Sequence, residues 1–296
     1  MRLDDLLVRI RGEFPDLRFA GAALNLDGDD HAVVILDERW VFRFPRGRER
    51  LGLFRAELAV LPRVAEVSPL AVPRYAYVSR DRDFGGYALI AGREMRPAVF
   101  AALSGEARAT VLGQIAGFLR ALHGLDPALL DQPGVETARS WSAGDYARRW
   151  RAVYRGKIAT IVAPDLLIRI DRFYDAFEGR PVGPRACIVH DDLTDDHMLL
   201  APAGDRLAGI IDFGDVAIGD PAHDLAFFWS WGEAAAGELA ALYDPGGADP
   251  AVLDRSRWWF ARYVVGSLRW GDDGAVEGRS RALLARLPEV FSSLGV

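Results

Sequence analysis

Two short apolar stretches each run straight into a cluster of aspartates, and this pairing constrains the chain more than any other feature of its sequence. Cys187-Ile188-Val189 leads into His190-Asp191-Asp192-Leu193-Thr194-Asp195-Asp196-His197, and Leu207 to Ile211 leads into Asp212-Phe213-Gly214-Asp215. Four carboxylates within six residues repel one another and resist unpaired burial, so the first cluster must face water, a cation or a substrate. A solvated acidic loop would explain one such cluster. Two strand ends that both deliver Asp point to a site for a hard divalent cation, because Mg²⁺ takes one or two carboxylates and leaves its other positions to water and phosphate oxygens.

The periodicity of the rest divides the chain. In the first ninety residues, strand patterns at His31 to Leu36 and at Trp40-Val41-Phe42-Arg43-Phe44-Pro45 follow the turn-like run Asp27-Gly28-Asp29-Asp30, which reads as a hairpin. Leu51, Phe54, Leu58 and Leu61 then recur at helical spacing with Glu57 among them, and Tyr87 to Ile90 is a further strand candidate. The result is a small α+β lobe. After Gly92 the pattern turns helical: Val111, Ile115, Phe118, Leu119 and Leu122 share one face of a helix that stops near His123-Gly124. From Ala222 onward the chain reads as helices with an aromatic face. Asp220-Pro221 has the order of an N-cap followed by the first helical residue, which assigns Asp220 a structural role.

Composition excludes several classes. At 296 residues, 50% hydrophobic and 26% charged, the chain exceeds one typical core, and two lobes are expected. Cys187 is the only cysteine and can form no intramolecular bridge, which favours a cytoplasmic protein. Asp and Arg interrupt the N-terminal apolar positions, so MRLDDLLVRIRGEF suits an amphipathic helix rather than a secretory signal. No apolar run approaches the roughly 18 residues of a membrane span. A net charge of −6 disfavours nucleic acid and suits a cationic small molecule. Lys157 is the only lysine, so a lysine-dependent step elsewhere would have to use arginine.

Asp212-Phe213-Gly214 reproduces the metal-binding triplet of kinases, and Asp192 followed by His197 five residues on reproduces the spacing of catalytic Asp and metal ligand in their catalytic loop. Their order, twenty residues apart, makes the combination specific. The chain resembles the aminoglycoside phosphotransferase family of antibiotic kinases, and within it the aminoglycoside 2''-phosphotransferases. FPDLRF, WVFRFPR with Glu57 downstream, FLRALH, CIVHDDLTDDHMLL, GIIDFGDVAIGDPAHDLA and WWFARYVVG carry the resemblance over nearly the whole length. It implies a bilobal protein-kinase-like α+β fold, with a small antiparallel-sheet lobe over residues 1–91 and a larger, mostly helical lobe over 92–296.

The same resemblance implies an enzyme that transfers the γ-phosphate of ATP or GTP, with Mg²⁺, to a hydroxyl of a small cationic antibiotic. Asp192 corresponds to the catalytic Asp, and Asp212 to the chelating Asp. His197 stands where most kinases have Asn and is similar here to the macrolide phosphotransferases; it would hold a phosphate oxygen or a more weakly bound metal, since imidazole suits Mg²⁺ less well than an amide oxygen. Arg43 takes the place of the strand lysine, with Glu57 as its partner; a surface strand residue is the competing reading. The base would lie against Leu89, Ile90, Ala91 and Gly92, with adenine and guanine both open.

Acceptor contacts are expected from Asp191, Asp195, Asp196, Asp215 and Glu233, and from Trp229 and Trp231 if the aromatic stretch leaves the core. The 2''-enzymes carry an acidic residue in the late aromatic helix, where this chain has Ala261. The alternatives are a macrolide phosphotransferase and a kinase-like metabolic or non-catalytic nucleotide-binding protein.

Overall fold

Alternation along the hairpin sets what the N-terminal sheet buries. Side chains on a strand point to opposite faces in turn. Ala32, Val34 and Leu36 of β2 (His31–Leu36) and Phe42 and Phe44 of β3 (Trp40–Pro45) therefore share one face. That face packs with Leu6 and Ile10 of the N-terminal helix α1 (Leu3–Glu13) and with Phe84. The opposite face carries His31, Val33, Val41 and Arg43, with Val33 directly across from Arg43. Helix α2 (Arg48–Val67) supplies buried Phe54, Glu57, Leu58 and Leu61 at helical spacing. Strands β1 (Ala22–Asn25), β4 (Tyr75–Val78) and β5 (Gly85–Ala88) complete a five-stranded antiparallel sheet in the order β1-β2-β3-β5-β4.

A computed structural model describes residues 1–26, 31–131, 135, 142–180, 183–268 and 278–296. The Asp27-Gly28-Asp29-Asp30 turn lies outside the described residues. Two compact units emerge, one from Met1–Arg139 with Cys187–Ile218 and the other from Ser140–Ala186 with Gly219–Val296. The first is discontinuous in sequence.

Beyond the sheet, the first unit holds β6 (Arg93–Glu94), α3 (Pro97–Ala102) and α4 (Gly105–His123), which ends at Gly124 as the sequence predicts. Strands β7 (Cys187–Val189), β8 (Met198–Leu200), β9 (Leu207–Ile210) and β10 (Ala217–Gly219) form two small sheets, β10-β7 and β6-β8-β9. Both aspartate clusters follow these strands directly. The third predicted strand, Tyr87 to Ile90, is observed as β5 over Gly85–Ala88, and the Leu89 N–H beyond it donates to the Arg39 carbonyl at 2.7 Å in register with the β3-β5 pairing.

The second unit is helical: α5 (Ala143–Arg149), a π-helical turn at Trp150–Tyr154, α6 (Arg155–Ile158), α7 (Pro164–Glu178), α8 (Glu233–Tyr243), α9 (Val252–Gly266) and α10 (Gly278–Leu294). Phe173 and Phe177 of α7 pack with Trp258 and Trp259 of α9, with ring centroids 5.0 to 5.7 Å apart. Asp220 caps the 3-10 turn Pro221–His223 by accepting from the Ala222 N–H. No helix among the described residues is long and apolar enough to cross a membrane.

Candidate active site

Arg43 is the hub of the first unit. It is 3% exposed, which rules out the surface reading, and its guanidinium reaches three partners. Nη1 donates to Glu57 Oε1 at 2.8 Å, and Nη2 donates both to Asp212 Oδ1 and to His31 Nδ1, the latter at 3.0 Å. Tyr75 adds its hydroxyl to Glu57 Oε1 at 3.2 Å. Gly85 makes this possible, since a Cβ there would lie 2.8 Å from the Tyr75 ring and from the Tyr77 carbonyl. Burial pushes the Glu57 carboxyl upward against the pull of Arg43, whose single charge serves two carboxylates. Glu57 Oε2 is buried without a hydrogen-bond partner.

The two acidic loops meet the hub side by side. His190 is fully buried and bonds the Ile211 carbonyl through Nε2 at 3.1 Å, while the Ile211 N–H donates to the His197 carbonyl at 2.9 Å. These cross-links hold Asp192, His197 and Asp212 together. His197 Nδ1 donates to the Asp192 carbonyl at 2.7 Å and lies 3.5 Å from its carboxylate; Nε2 lies 3.6 Å from Asp212 Oδ2. Asp191 and Asp212 adopt left-handed φ values of 66° and 64°, a region that costs a non-glycine residue energy and is concentrated at working sites.

Electrostatics separates the two central carboxylates. Loss of solvent pushes Asp192 up to about 7 despite His197, with Asp215, Asp212 and Asp191 adding to the rise. Desolvation acts on Asp212 too, yet Arg43 and then His197 overcome it and hold that carboxyl well below the usual range. Asp192 is thus suited to take a proton near neutrality, and Asp212 to stay charged. His197 is raised because Asp192 and Asp212 outweigh its burial.

Among the described residues no cluster of three or more His, Cys, Asp or Glu side chains forms a metal cage. Mg²⁺ needs no such cage when phosphates and water complete its shell. Asp212 fits that requirement: one oxygen is held by Arg43, and 40% of the side chain remains exposed.

The other expected contact residues scatter. Leu89, Ala91 and Gly92 are exposed, and Ile90 packs over Gly209, where a Cβ would lie 2.9 Å from its methyl group. Asp191 is half-buried, and Asp215 lies 3.5 Å from Arg50. Asp195 is 3% exposed and faces Arg96 at 3.4 Å, and Asp196 pairs with the same arginine at 2.7 Å. In the second unit, Glu233 is exposed and paired with Arg257. Trp229 is buried, with its indole N–H donating to Ser256, while Trp231 is half-buried. Tyr75 and Arg96 join the site without a local sequence signal, whereas strand alternation puts His31, which ends the Asp27-Gly28-Asp29-Asp30-His31 run set by the family resemblance at the phosphate-covering position, on the face of Arg43.

The sequence pattern of the Phosphotransferase enzyme family matches residues 23–259. The chain belongs to this phosphotransferase family. Its fold is shared with the GDP and kanamycin complex of APH(2'')-IIia at a TM-score of 0.78, with 21% identity over 98% of this chain and 97% of that one. A streptomycin-ATP-APH(2'')-IIa ternary complex matches at 0.68, with 19% identity over 92% of each chain. The macrolide 2'-phosphotransferase MphH from Brachybacterium faecium matches at 0.64, with 22% identity over 89% of this chain and 91% of that one.

Proposed function

We propose that this phosphotransferase is a cytoplasmic antibiotic kinase, transferring the γ-phosphate of ATP or GTP to a hydroxyl of an aminoglycoside. The observation that carries this reading is the convergence of Asp192, His197, Asp212 and Arg43 in one unit. Residues 1–91 serve as the nucleotide-binding lobe, with the base against Leu89 to Gly92, and residues 92–296 as the catalytic and acceptor-binding lobe. Asp192 orients the acceptor hydroxyl and takes its proton as the oxygen bonds to the γ-phosphorus and the bond to the β-phosphate oxygen breaks. Arg43 neutralises phosphate charge. Asp212, with His197 beside it, would hold Mg²⁺, which when bound offsets charge on the transferring phosphoryl group.

An aminoglycoside is favoured by the net charge of −6, by the acidic loops of the first unit and by the kanamycin and streptomycin complexes among the matched folds. A macrolide is the second reading, favoured by the macrolide enzyme among those folds and by Ala261, fully buried in α9 where the 2''-enzymes have an acidic residue.

The deciding experiment incubates the protein with Mg²⁺, ATP or GTP, and panels of aminoglycosides and macrolides, then weighs the products by mass spectrometry. A phosphorylated aminoglycoside, together with a raised inhibitory concentration in a susceptible bacterium, is the expected outcome. Product only from macrolides would reverse the order, and no product from either panel would remove the antibiotic-kinase reading.

A further inference from the structure

His31 is held by Arg43 in a single tautomer. A guanidinium has donors only, so the Nδ1 atom 3.0 Å from Arg43 Nη2 must offer its lone pair, and the ring proton sits on Nε2. That Nε2–H is buried, in a residue 5% exposed, and has no hydrogen-bond partner. Buried donors are rarely left unsatisfied, and each exception calls for a cause. Phe54 lies beside the ring at a centroid distance of 6.3 Å.

The surroundings suggest what is missing. A methyl group on Gly214 would lie 3.2 Å from Asp212 Oδ1, 3.3 Å from Arg43 Nη2 and 3.4 Å from His31 Cε1, the ring carbon bonded to Nε2. Arg43, Asp212 and His31 therefore converge on the space over one glycine. Burial and then Arg43 press the ring down to about 3 against the pull of Asp212, with Arg50 and Arg46 acting in the sense of Arg43, so the ring is a neutral donor with three arginines and one carboxylate around it. An anion with several acceptor oxygens suits that field, and a cation on Asp212 would shield it from the one nearby carboxylate.

We propose that His31 is a phosphate-binding residue, donating its Nε2–H to an oxygen of the nucleotide polyphosphate beside the Arg43 guanidinium. This rests on the kinase reading above. It makes His31 a direct ligand of the donor rather than a support for Arg43 alone.

The test compares binding of Mg²⁺-AMP-PNP and Mg²⁺-GMP-PNP with binding of adenosine and guanosine, by calorimetry, in the wild type and in three variants. His31→Phe should weaken the triphosphate analogue about tenfold and leave the nucleoside unchanged. His31→Gln, whose amide nitrogen reaches the place of Nε2, should recover most of the loss. His31→Asn, whose side chain ends near Nδ1 and can only accept from Arg43 there, should not. Equal triphosphate affinity in wild type and His31→Phe, or rescue by Asn instead of Gln, would overturn the proposal by making His31 a buttress. If the wild type binds neither analogue, the kinase reading itself falls; wild-type binding with an unaffected Phe variant removes only the role of His31. Should His31→Phe not fold, as judged by its melting curve, the Gln and Asn variants give the same decision.

Discussion

Each unit buries one arginine between two carboxylates, and the two clusters differ in what they leave unfinished. In the helical unit Arg255 donates Nε and Nη2 to Asp220 at 2.8 and 3.0 Å, and Nη1 and Nη2 to Asp249 at 2.8 and 2.6 Å. Asp220 also accepts from the N–H groups of Gly183 and Ala222. Every acceptor there faces a donor. Around Arg43, by contrast, Glu57 Oε2 and His31 Nε2 are orphaned, Asp212 keeps 40% of its side chain open, and its backbone sits in the left-handed region. A satisfied buried network holds structure together, while a partly satisfied one is costly unless something binds to it. The same chemistry therefore braces one unit and prepares the other for a ligand.

The comparison breaks if removing a carboxylate from the Arg43 cluster mainly unfolds the protein. Asp212→Asn, a substitution that tolerates left-handed backbone, should lower turnover by about a thousandfold or more and move the melting temperature little. Steady-state kinetics beside calorimetric melting would show it. The converse applies to Arg255→Met, which leaves Asp220 buried and unpaired: a loss of roughly 3–5 kcal/mol in denaturant unfolding is expected, with turnover per folded molecule preserved. Next in size, Arg43→Ala should raise the nucleotide KM or lower kcat by more than about tenfold, in line with roughly 1.5–3 kcal/mol for a charge-assisted contact, and Arg43→Lys should recover much of it.

The smallest effect is one of pH, and it has a different sense in the two units. Asp192, pushed up to about 7, works as a proton acceptor only when ionised, so kcat/KM should fall as the medium is acidified below that value. Its fold-stability contribution runs the other way, because a carboxyl that holds its proton more tightly when folded costs stability as pH rises from about 4 to 7. Asp249 is held low by its hydrogen bond to Arg255, so its stabilising contribution is present above about pH 4 and disappears as pH falls through the lowered value. A rate profile and amide exchange resolved by unit would separate the two.

What could be read in advance follows from range. The β2-β3 hairpin, α2 with Glu57 on its buried face, and the helix stop at Gly124 are local patterns of period two or 3.6. The meeting of Arg43 with Glu57 and the order of the two Asp loops followed from the family resemblance. The role of Arg96 was not legible, because it follows a two-residue strand of exposed residues that has no periodicity. The fate of Trp229 was equally hidden: an aromatic run announces burial, but only the position of Ser256 decides where the indole donates. His31 needed strand register, which sets it on the face of Arg43, its neighbour in space.

The discontinuity of the first unit bears on how the chain is made. Arg43 and Glu57 leave the ribosome long before Asp212, which is 169 residues beyond Arg43, and at about 5–20 residues per second the wait is on the order of ten to thirty seconds. Until then Arg43 can meet only one of its two carboxylates, because Asp212 and the strands β7, β8 and β9 just before it are made last. Such long-range closure is slow compared with hairpin or helix formation. A chain released before residue 212 lacks one of the two carboxylates that hold Arg43 in the complete unit, and truncation before that point should therefore abolish any activity that depends on the cluster.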